Sequence, residues 1–266
     1  MPKQRADVLL VERGLFESRA KAAAAVIAGQ VQIGSDGRKI DKPGQMLDAE
    51  VVFKVAERDR YVSRGGIKLE NALKAFPQVE IAARDCLDAG ASTGGFTDYL
   101  LQHGANHVVA VDVAYGELHW SLREHNRVTV VERRNVRELT PEELPYGPEL
   151  IVADLSFISL TKVLPALVAC ASSRFDMLAL VKPQFEVGRE RVGKGGVVRD
   201  RAARVDAIVQ VAEAAIAAGA SVQGVTSSGL PGPAGNLESF IWLAERERVA
   251  AGDPRALAEA SETKEG

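Results

Sequence analysis

The sequence predicts an α/β protein in two parts: a doubly wound, largely parallel sheet of seven strands with an antiparallel last hairpin, preceded by a small α+β domain. From Gly66 onward, apolar strand-length runs alternate with helix-period segments, the pattern of a parallel sheet covered on both faces. A glycine-rich turn, Gly90 to Gly95, joins the first of those strands to a helix, and such turns are where these sheets bind ligands. The last two strands are joined by a Gly/Pro loop, Gly229 to Asn236, with no helix between them, which suits an antiparallel pair.

The elements follow in order. Apolar residues at helical spacing, closed by Gly14, predict a helix over Arg5–Arg13. Ser18 caps a second over Arg19–Ala28, which Gly29 ends. A short strand at Val31–Ile33, turns at Ser35-Asp36-Gly37 and Lys42-Pro43-Gly44, and a strand at Val51–Val55 complete a unit of residues 1–60, with Glu57–Arg60 as linker. In the larger unit, 61–248, strands are expected at Asp85–Asp88, His107–Asp112, Thr129–Glu132, Leu150–Asp154, Met177–Val181, Val222–Ser227 and Ser239–Ala244. Helices are expected at Lys68–Ala75, Phe96–His103, Leu160–Ala171 and Ala202–Ala218. Residues 249–266, rich in Ala, Glu and Ser, read as a flexible tail.

Composition narrows the class. Apolar residues at 46% and charged residues at 26% of 266 describe ordinary globular protein. The net charge of −3 hides basic stretches. Residues 182–204 hold 7 Lys/Arg against 3 Asp/Glu, and residues 1–60 hold 11 against 9. Local basic faces suffice for a polyanionic partner. Cys86 and Cys170 read as buried free thiols of a reducing compartment. The N-terminus lacks a signal-peptide pattern and no apolar run reaches about 18 residues, so the expectation is a cytoplasmic protein without a membrane partner.

The most informative segment is Asp88-Ala89-Gly90-Ala91-Ser92-Thr93-Gly94-Gly95-Phe96. Its D-x-G-x-x-x-G-G pattern differs from the dinucleotide fingerprint and lacks the Lys-Ser/Thr pair of a phosphate loop. An acid just before the first glycine suits a ligand ammonium group. Asp112, with Val113 beyond it, ends the second strand where a carboxylate accepts both hydroxyls of a ribose. Asn135 and Val136, after the third strand, fall where an adenine would rest. Together these point to S-adenosylmethionine as cofactor.

Four charged residues stand at predicted strand or helix ends: Lys68, Asp154, Lys182 and Glu238. Strand ends at one edge of such a sheet converge on one crevice. Two lysines and two carboxylates there can set each other's protonation and allow one lysine to manage a proton near neutral pH.

The motifs DAGASTGGF, ADLSF, VKPQFE and GNLESF, with SRGGIKL upstream, resemble the TlyA (haemolysin A) family of ribosomal-RNA 2′-O-methyltransferases. That family lies within the wider FtsJ-like ribose methyltransferases. The resemblance spans residues 3–245 and implies a Rossmann-like methyltransferase sheet. It maps a Lys-Asp-Lys-Glu tetrad onto Lys68, Asp154, Lys182 and Glu238, with Lys182 deprotonating or orienting a ribose 2′-hydroxyl. It also implies ribosomal RNA or ribosomal subunits as partner, cytidine as the methylated nucleotide, and no metal requirement. The first 60 residues are similar to an S4 RNA-binding domain at Arg5, Arg19, Lys21 and the Lys42 turn. Arg64, Lys68 and Arg189 are further RNA-contact candidates, Arg189 opening a basic, glycine-rich stretch to Gly196 that reads as mobile. Three other readings compete: an RNA-binding assembly factor without catalysis, a haemolysin, and a base methyltransferase. The absence of proline from Asp154-Leu155-Ser156-Phe157 argues against the last.

Overall fold

In a computed structural model that describes residues 3–34, 37–55 and 60–262, the chain divides into two compact units, Met1–Arg60 and Tyr61–Gly266. Ser35 and Asp36 of the expected turn, residues 57–59 of the expected linker and residues 263–266 lie outside the described residues.

The first unit runs β1 (Lys3–Arg5), α1 (Ala6–Glu12), α2 (Arg19–Ile27), β2 (Val31–Ile33), β3 (Arg38–Lys39), β4 (Met46–Asp48) and β5 (Phe53–Val55). Ser18 caps α2 as its position predicts, its Oγ accepting from Lys21 N at 3.3 Å. Strands β3, β2 and β5 form one antiparallel sheet, and β1 pairs antiparallel with β4. The β1–β4 pair was not expected, because β1 is Lys-Gln-Arg and carries no apolar residue to mark a buried face. Leu9, Leu10, Val26, Val31 and Ile33 fill the core of this unit.

The second unit opens with α3 (Arg64–Ala75), then β6 (Asp85–Ala89), α4 (Gly95–Gln102), β7 (His107–Val111), α5 (Trp120–Arg123) and β8 (Val128–Val131). It continues with β9 (Leu150–Ala153), α6 (Leu164–Cys170), β10 (Asp176–Val181), α7 (Pro183–Glu186), α8 (Arg201–Ala218), β11 (Ala220–Ser227), β12 (Ser239–Glu245) and α9 (Pro254–Glu262). The seven strands from β6 to β12 form one sheet in the order β11-β12-β10-β9-β6-β7-β8. All pairs are parallel except those of β12, which runs antiparallel to both β10 and β11. The expected seven-stranded sheet with an antiparallel last hairpin is therefore the observed one.

Alternation along each strand feeds two cores. Leu87, Ala89, Val109 and Val111 pack with α6 and α8 on one face, and Cys86, Leu150 and Leu178 with α3 and α4 on the other. Two boundaries differ instructively. Helix α3 begins four residues before the expected Lys68, because Ser63 caps it through Gly65 N at 3.4 Å. The expected helix over Leu160–Ala171 is instead a 3₁₀ turn at Leu160–Lys162 followed by α6. Pro165 has no N–H to continue the earlier turn and stands in the first turn of the new one.

The expected flexible tail is corrected over much of its length. Asp253 and Pro254 start α9: Ala256 N donates to Asp253 Oδ2 at 2.9 Å. The helix packs on α8, buries Ala258 and Ser261, and pairs Glu262 with Arg204 at 2.5 Å. A short apolar stripe with a good start signal outweighed the polar composition. No helix among the described residues is long and apolar enough to cross a membrane.

Candidate active site

Strand register decides what meets at the C-terminal edge of the sheet. Ala89 lies opposite both Val111 and Ala153, so Gly90, Asp112 and Asp154 leave the edge side by side. Val181 lies opposite Ser239 on the antiparallel β12, which brings Glu238 beside Lys182 from the other chain direction. The four expected residues do converge, as two ion pairs. Lys68 Nζ lies 2.6 Å from Glu238 Oε2, with side chains 9% and 1% exposed. Lys182 Nζ lies 2.7 Å from Asp154 Oδ1 and donates to Ser156 Oγ at 2.9 Å.

Two cavities adjoin at this edge. The first, about 370 Å³, is lined by Ser63, Arg64, Lys68, Thr93, Phe96 and Lys182, among others. The second, about 310 Å³, is lined by Asp112, Val113, Asn135, Val136, Leu155 and Ile158, among others. Gly90, Ser92, Asp154 and Ser156 belong to both walls and form the seam. The second chamber sets the carboxylates of Asp112, Glu117 and Asp154 beside the apolar side chains of Val113, Val136 and Ile158, a mixture that suits a nucleoside, with its hydroxyls toward an acid and its ring against the apolar wall. Asp112 is held in place by backbone amides, accepting from Ser92 N at 2.7 Å and Ala114 N at 2.8 Å, and a carboxylate retains acceptor capacity beyond two bonds. Asn135 Oδ1 accepts from Arg137 N at 3.1 Å and fixes the turn that carries Val136.

The glycines have distinct reasons. Gly90 has φ +87°, and a Cβ there would stand 2.5 Å from the Asp154 carbonyl oxygen, so only glycine lets the two strand ends touch. Gly95 abuts Ser63, whose Oγ would be 2.2 Å from an added Cβ; this presses the starts of α3 and α4 together under the first chamber. Ala91 and Gly95 line that chamber as well. Gly94 lines neither chamber: it caps α4 at φ +97° with Leu118 and Leu122 behind it.

Asp88 departs from expectation. It is fully buried and lines neither chamber, and its Oδ1 has no hydrogen-bond partner among the described residues. Its Oδ2 accepts from Thr97 N at 2.9 Å and Thr97 Oγ at 2.7 Å, pinning the first turn of α4. Burial pushes its carboxyl up to about 7, against the lowering effect of the Thr97 hydroxyl bond. Alternation contained the warning: Leu87 and Ala89 face α6 and α8, so Asp88 faces α4 with Cys86.

Sequence reasoning missed the polar and aromatic rim. Ser156 was hidden in an ordinary loop, and its neighbour Phe157 has φ +65° with a side chain 92% exposed. Ser63, Pro231 and Pro233 also line the first chamber. The stretch expected to be mobile after Arg189 is instead tied down. Arg191 pairs with Asp206 at 2.9 Å, and buried Asn236 donates to Gly196 O at 2.8 Å and accepts from Val198 N at 2.9 Å. Arg64 reaches Pro231 O at 3.4 Å. In the first unit, Asp7 draws Arg5 and Arg19 together, at 3.0 and 3.1 Å. Pro43 O of the Lys42 turn accepts from Asp7 N at 3.0 Å, and Lys21 pairs with Glu17.

Comparison with known proteins identifies the family. The FtsJ-like methyltransferase family model matches residues 61–245. The chain is 53% identical over 243 residues to the 16S/23S rRNA (cytidine-2′-O)-methyltransferase TlyA of Mycobacterium tuberculosis, covering 91% of this chain and 90% of that one. It is 37% identical over 183 residues to the 23S rRNA (cytidine-2′-O)-methyltransferase TlyA of Campylobacter jejuni, covering 68% and 70%. A solved chain from Streptococcus thermophilus, labelled a hemolysin, superposes with TM-score 0.73 at 39% identity over 100% of both chains.

Proposed function

Because the chain belongs to the FtsJ-like methyltransferase family, we propose that it methylates the ribose 2′-hydroxyl of a cytidine in ribosomal RNA, with S-adenosylmethionine as donor. The observation that carries this reading is the seam between the chambers, where Lys182, Asp154 and Ser156 meet. Bound S-adenosylmethionine supplies a methyl group already activated by a cationic sulfur. The protein's work is therefore alignment and the management of one proton. Asp112, Val113, Asn135 and Val136 hold the nucleoside end, and Gly90 to Thr93 wrap the seam. An ammonium has three N–H donors. Lys182 is ion-paired with Asp154 and donates to Ser156 Oγ. A further N–H would orient the 2′-hydroxyl, whose proton would pass to the Asp154 carboxylate as the oxygen–methyl bond forms, the sulfonium carbon–sulfur bond breaks and S-adenosylhomocysteine leaves. The buried Lys68–Glu238 pair fixes the far wall of the acceptor chamber.

The first unit is read as an S4-like RNA-binding domain. Arg5, Arg19, Lys21 and Lys42 would hold phosphates of folded RNA by charge and shape; in the larger unit Arg64, which lines the first chamber, and Arg189 are read as further RNA contacts. Such a substrate places the protein in the cytoplasm with the ribosomal subunits.

The test is transfer of a labelled methyl group to 30S and 50S subunits from cells lacking the gene. Lys182→Ala is expected to lose transfer while retaining S-adenosylmethionine binding by calorimetry. Full transfer by that variant would remove Lys182 from the reaction, and absence of a 2′-O-methyl product with the parent protein would overturn the reading as a whole.

A further inference from the structure

Two loop segments that leave neighbouring strand ends are joined by three rungs. After β9 come Ser156, Phe157, Ile158 and Ser159; after β10 come Lys182 and then α7, ending at Glu186. At one end Lys182 donates to Ser156 Oγ at 2.9 Å. In the middle the rings of Phe157 and Phe185 lie 5.4 Å apart at 51°. At the other end Glu186 accepts twice, from Ser159 Oγ at 2.6 Å and from Leu160 N at 2.8 Å. The two segments and their end rungs close a ring of which the reacting lysine is one corner.

Phe157 gives the ring its meaning. A φ of +65° is strained for an aromatic residue, and such backbone persists only where the surroundings over-determine it. Burial does not do so here, because the side chain is 92% exposed and its ring contact in this rung is with Phe185. What holds the turn is the pair of bonded rungs on either side of it. Burial pushes the Glu186 carboxyl up. The Ser159 hydroxyl also lies 2.6 Å from Thr161 Oγ1, and it can donate or accept. The Glu186 rung therefore survives in either protonation state.

Granting methyl transfer at Lys182, we propose that Glu186 is a positioning residue: through Ser159 and Leu160 it clamps the strained Ser156–Phe157 turn and so aims the Lys182 ammonium. It acts from the opposite end of the ring and lines neither chamber. Removal of the carboxylate lets the turn relax, moves Ser156 away from Lys182, and loses rate while the fold stays intact.

The experiment compares Glu186→Ala, Glu186→Gln and Ser159→Ala in the full-length protein. It measures kcat and KM for 30S or 50S subunits, calorimetric binding of S-adenosylmethionine, and amide exchange of residues 155–159. Misplacement of a reacting group by about 1 Å loses on the order of a hundredfold, so Glu186→Ala is expected to lower kcat by about ten- to a hundredfold below its melting temperature. Exchange in 155–159 should quicken, and cofactor affinity should change far less than kcat. Gln keeps one acceptor and supplies a donor that the Ser159 hydroxyl can accept, so Glu186→Gln should recover most of the lost rate. A kcat within about twofold of the parent for Glu186→Ala, with Lys182→Ala inactive in the same assay, overturns the clamp. Lys182→Ala at full rate overturns the methyl-transfer reading instead. Should Glu186→Ala fail to fold, Ser159→Ala decides: its kcat must fall with exchange in 155–159 quickened, and an unchanged kcat overturns the clamp.

Discussion

Lys68 and Glu238, 170 residues apart in the chain, meet in a buried ion pair of 2.6 Å. One comes from the first turns of α3 and the other from the residue before β12. The pair thus ties the start of the larger unit to its last strand, across the acceptor chamber.

Removing one member leaves the other buried and unpaired, which costs about 3–5 kcal/mol. Lys68→Met is therefore expected to lower the melting temperature by roughly 6–20 °C for a unit of this size. Lys68→Met combined with Glu238→Leu should regain much of that stability and none of the transferase activity. A Lys68→Met variant that melts with the parent would show that the pair contributes nothing to the fold.

Gly232 backs that pair. A Cβ there would stand 2.3 Å from Glu238 Oε1, an oxygen with no hydrogen-bond partner among the described residues. Gly232→Ala is expected to push Glu238 from Lys68 and lower kcat, with cofactor affinity unchanged because Gly232 lines neither chamber. Steady-state kinetics beside calorimetry separates the two effects.

Gly90→Ala should act on the cofactor. At φ +87°, with the Asp154 carbonyl oxygen 2.5 Å from the new methyl, backbone strain of about 1–3 kcal/mol adds to a displaced seam. Loss of measurable S-adenosylmethionine binding in a folded protein is the expected outcome, read by calorimetry and circular dichroism.

Asp88 makes stability fall as pH rises. Its carboxyl ordinarily titrates at 3.8 and is raised by burial to about 7 in the folded chain. Between those values the folded state holds a proton that the unfolded state has lost, so the stability of the fold declines across that window by up to about 4 kcal/mol. Asp88→Asn removes this slope, and denaturant midpoints at pH 5 and pH 7.5 should lie closer together in the variant. Parallel changes in both proteins would assign the slope to other groups.

Asp7 works in the opposite sense. The Arg5 hydrogen bond, with Arg19 assisting, lowers its carboxyl to about 2. The stabilisation is present above about pH 4 and is lost as pH falls toward 2. Arg5 and Arg19 are half exposed, so it amounts to about 1 kcal/mol. Asp7→Asn should quicken amide exchange in α1 near neutral pH by up to about fivefold, and it should weaken subunit binding by releasing the two arginines.

Much of this was legible in the sequence. The strands of the sheet, the Gly90 turn and the convergence of Asp154, Lys182 and Glu238 follow from strand-helix alternation, since alternation fixes which ends share an edge; Lys68, on a helix, was joined to them by the family resemblance. The orientation of Asp88 was legible too, from the faces of Leu87 and Ala89, but spacing to the glycines overshadowed it. The Ser156 and Glu186 contacts were not legible. They depend on how two irregular loops pack, and no periodicity encodes that. Helix α9 was lost to its composition, although Asp253-Pro254 announces its start.

The place of β12 has a consequence for synthesis. The strand lies between β10 and β11, yet it comes after both in the chain. Until residues 239–245 have left the ribosome, β10 (a run of six buried residues) has one bare hydrogen-bonding edge. Glu238 also arrives only then. A nascent chain is thus inert as well as unfinished, and fragments that stop short of Ser239 should gather into aggregates rather than accumulate as a smaller soluble enzyme.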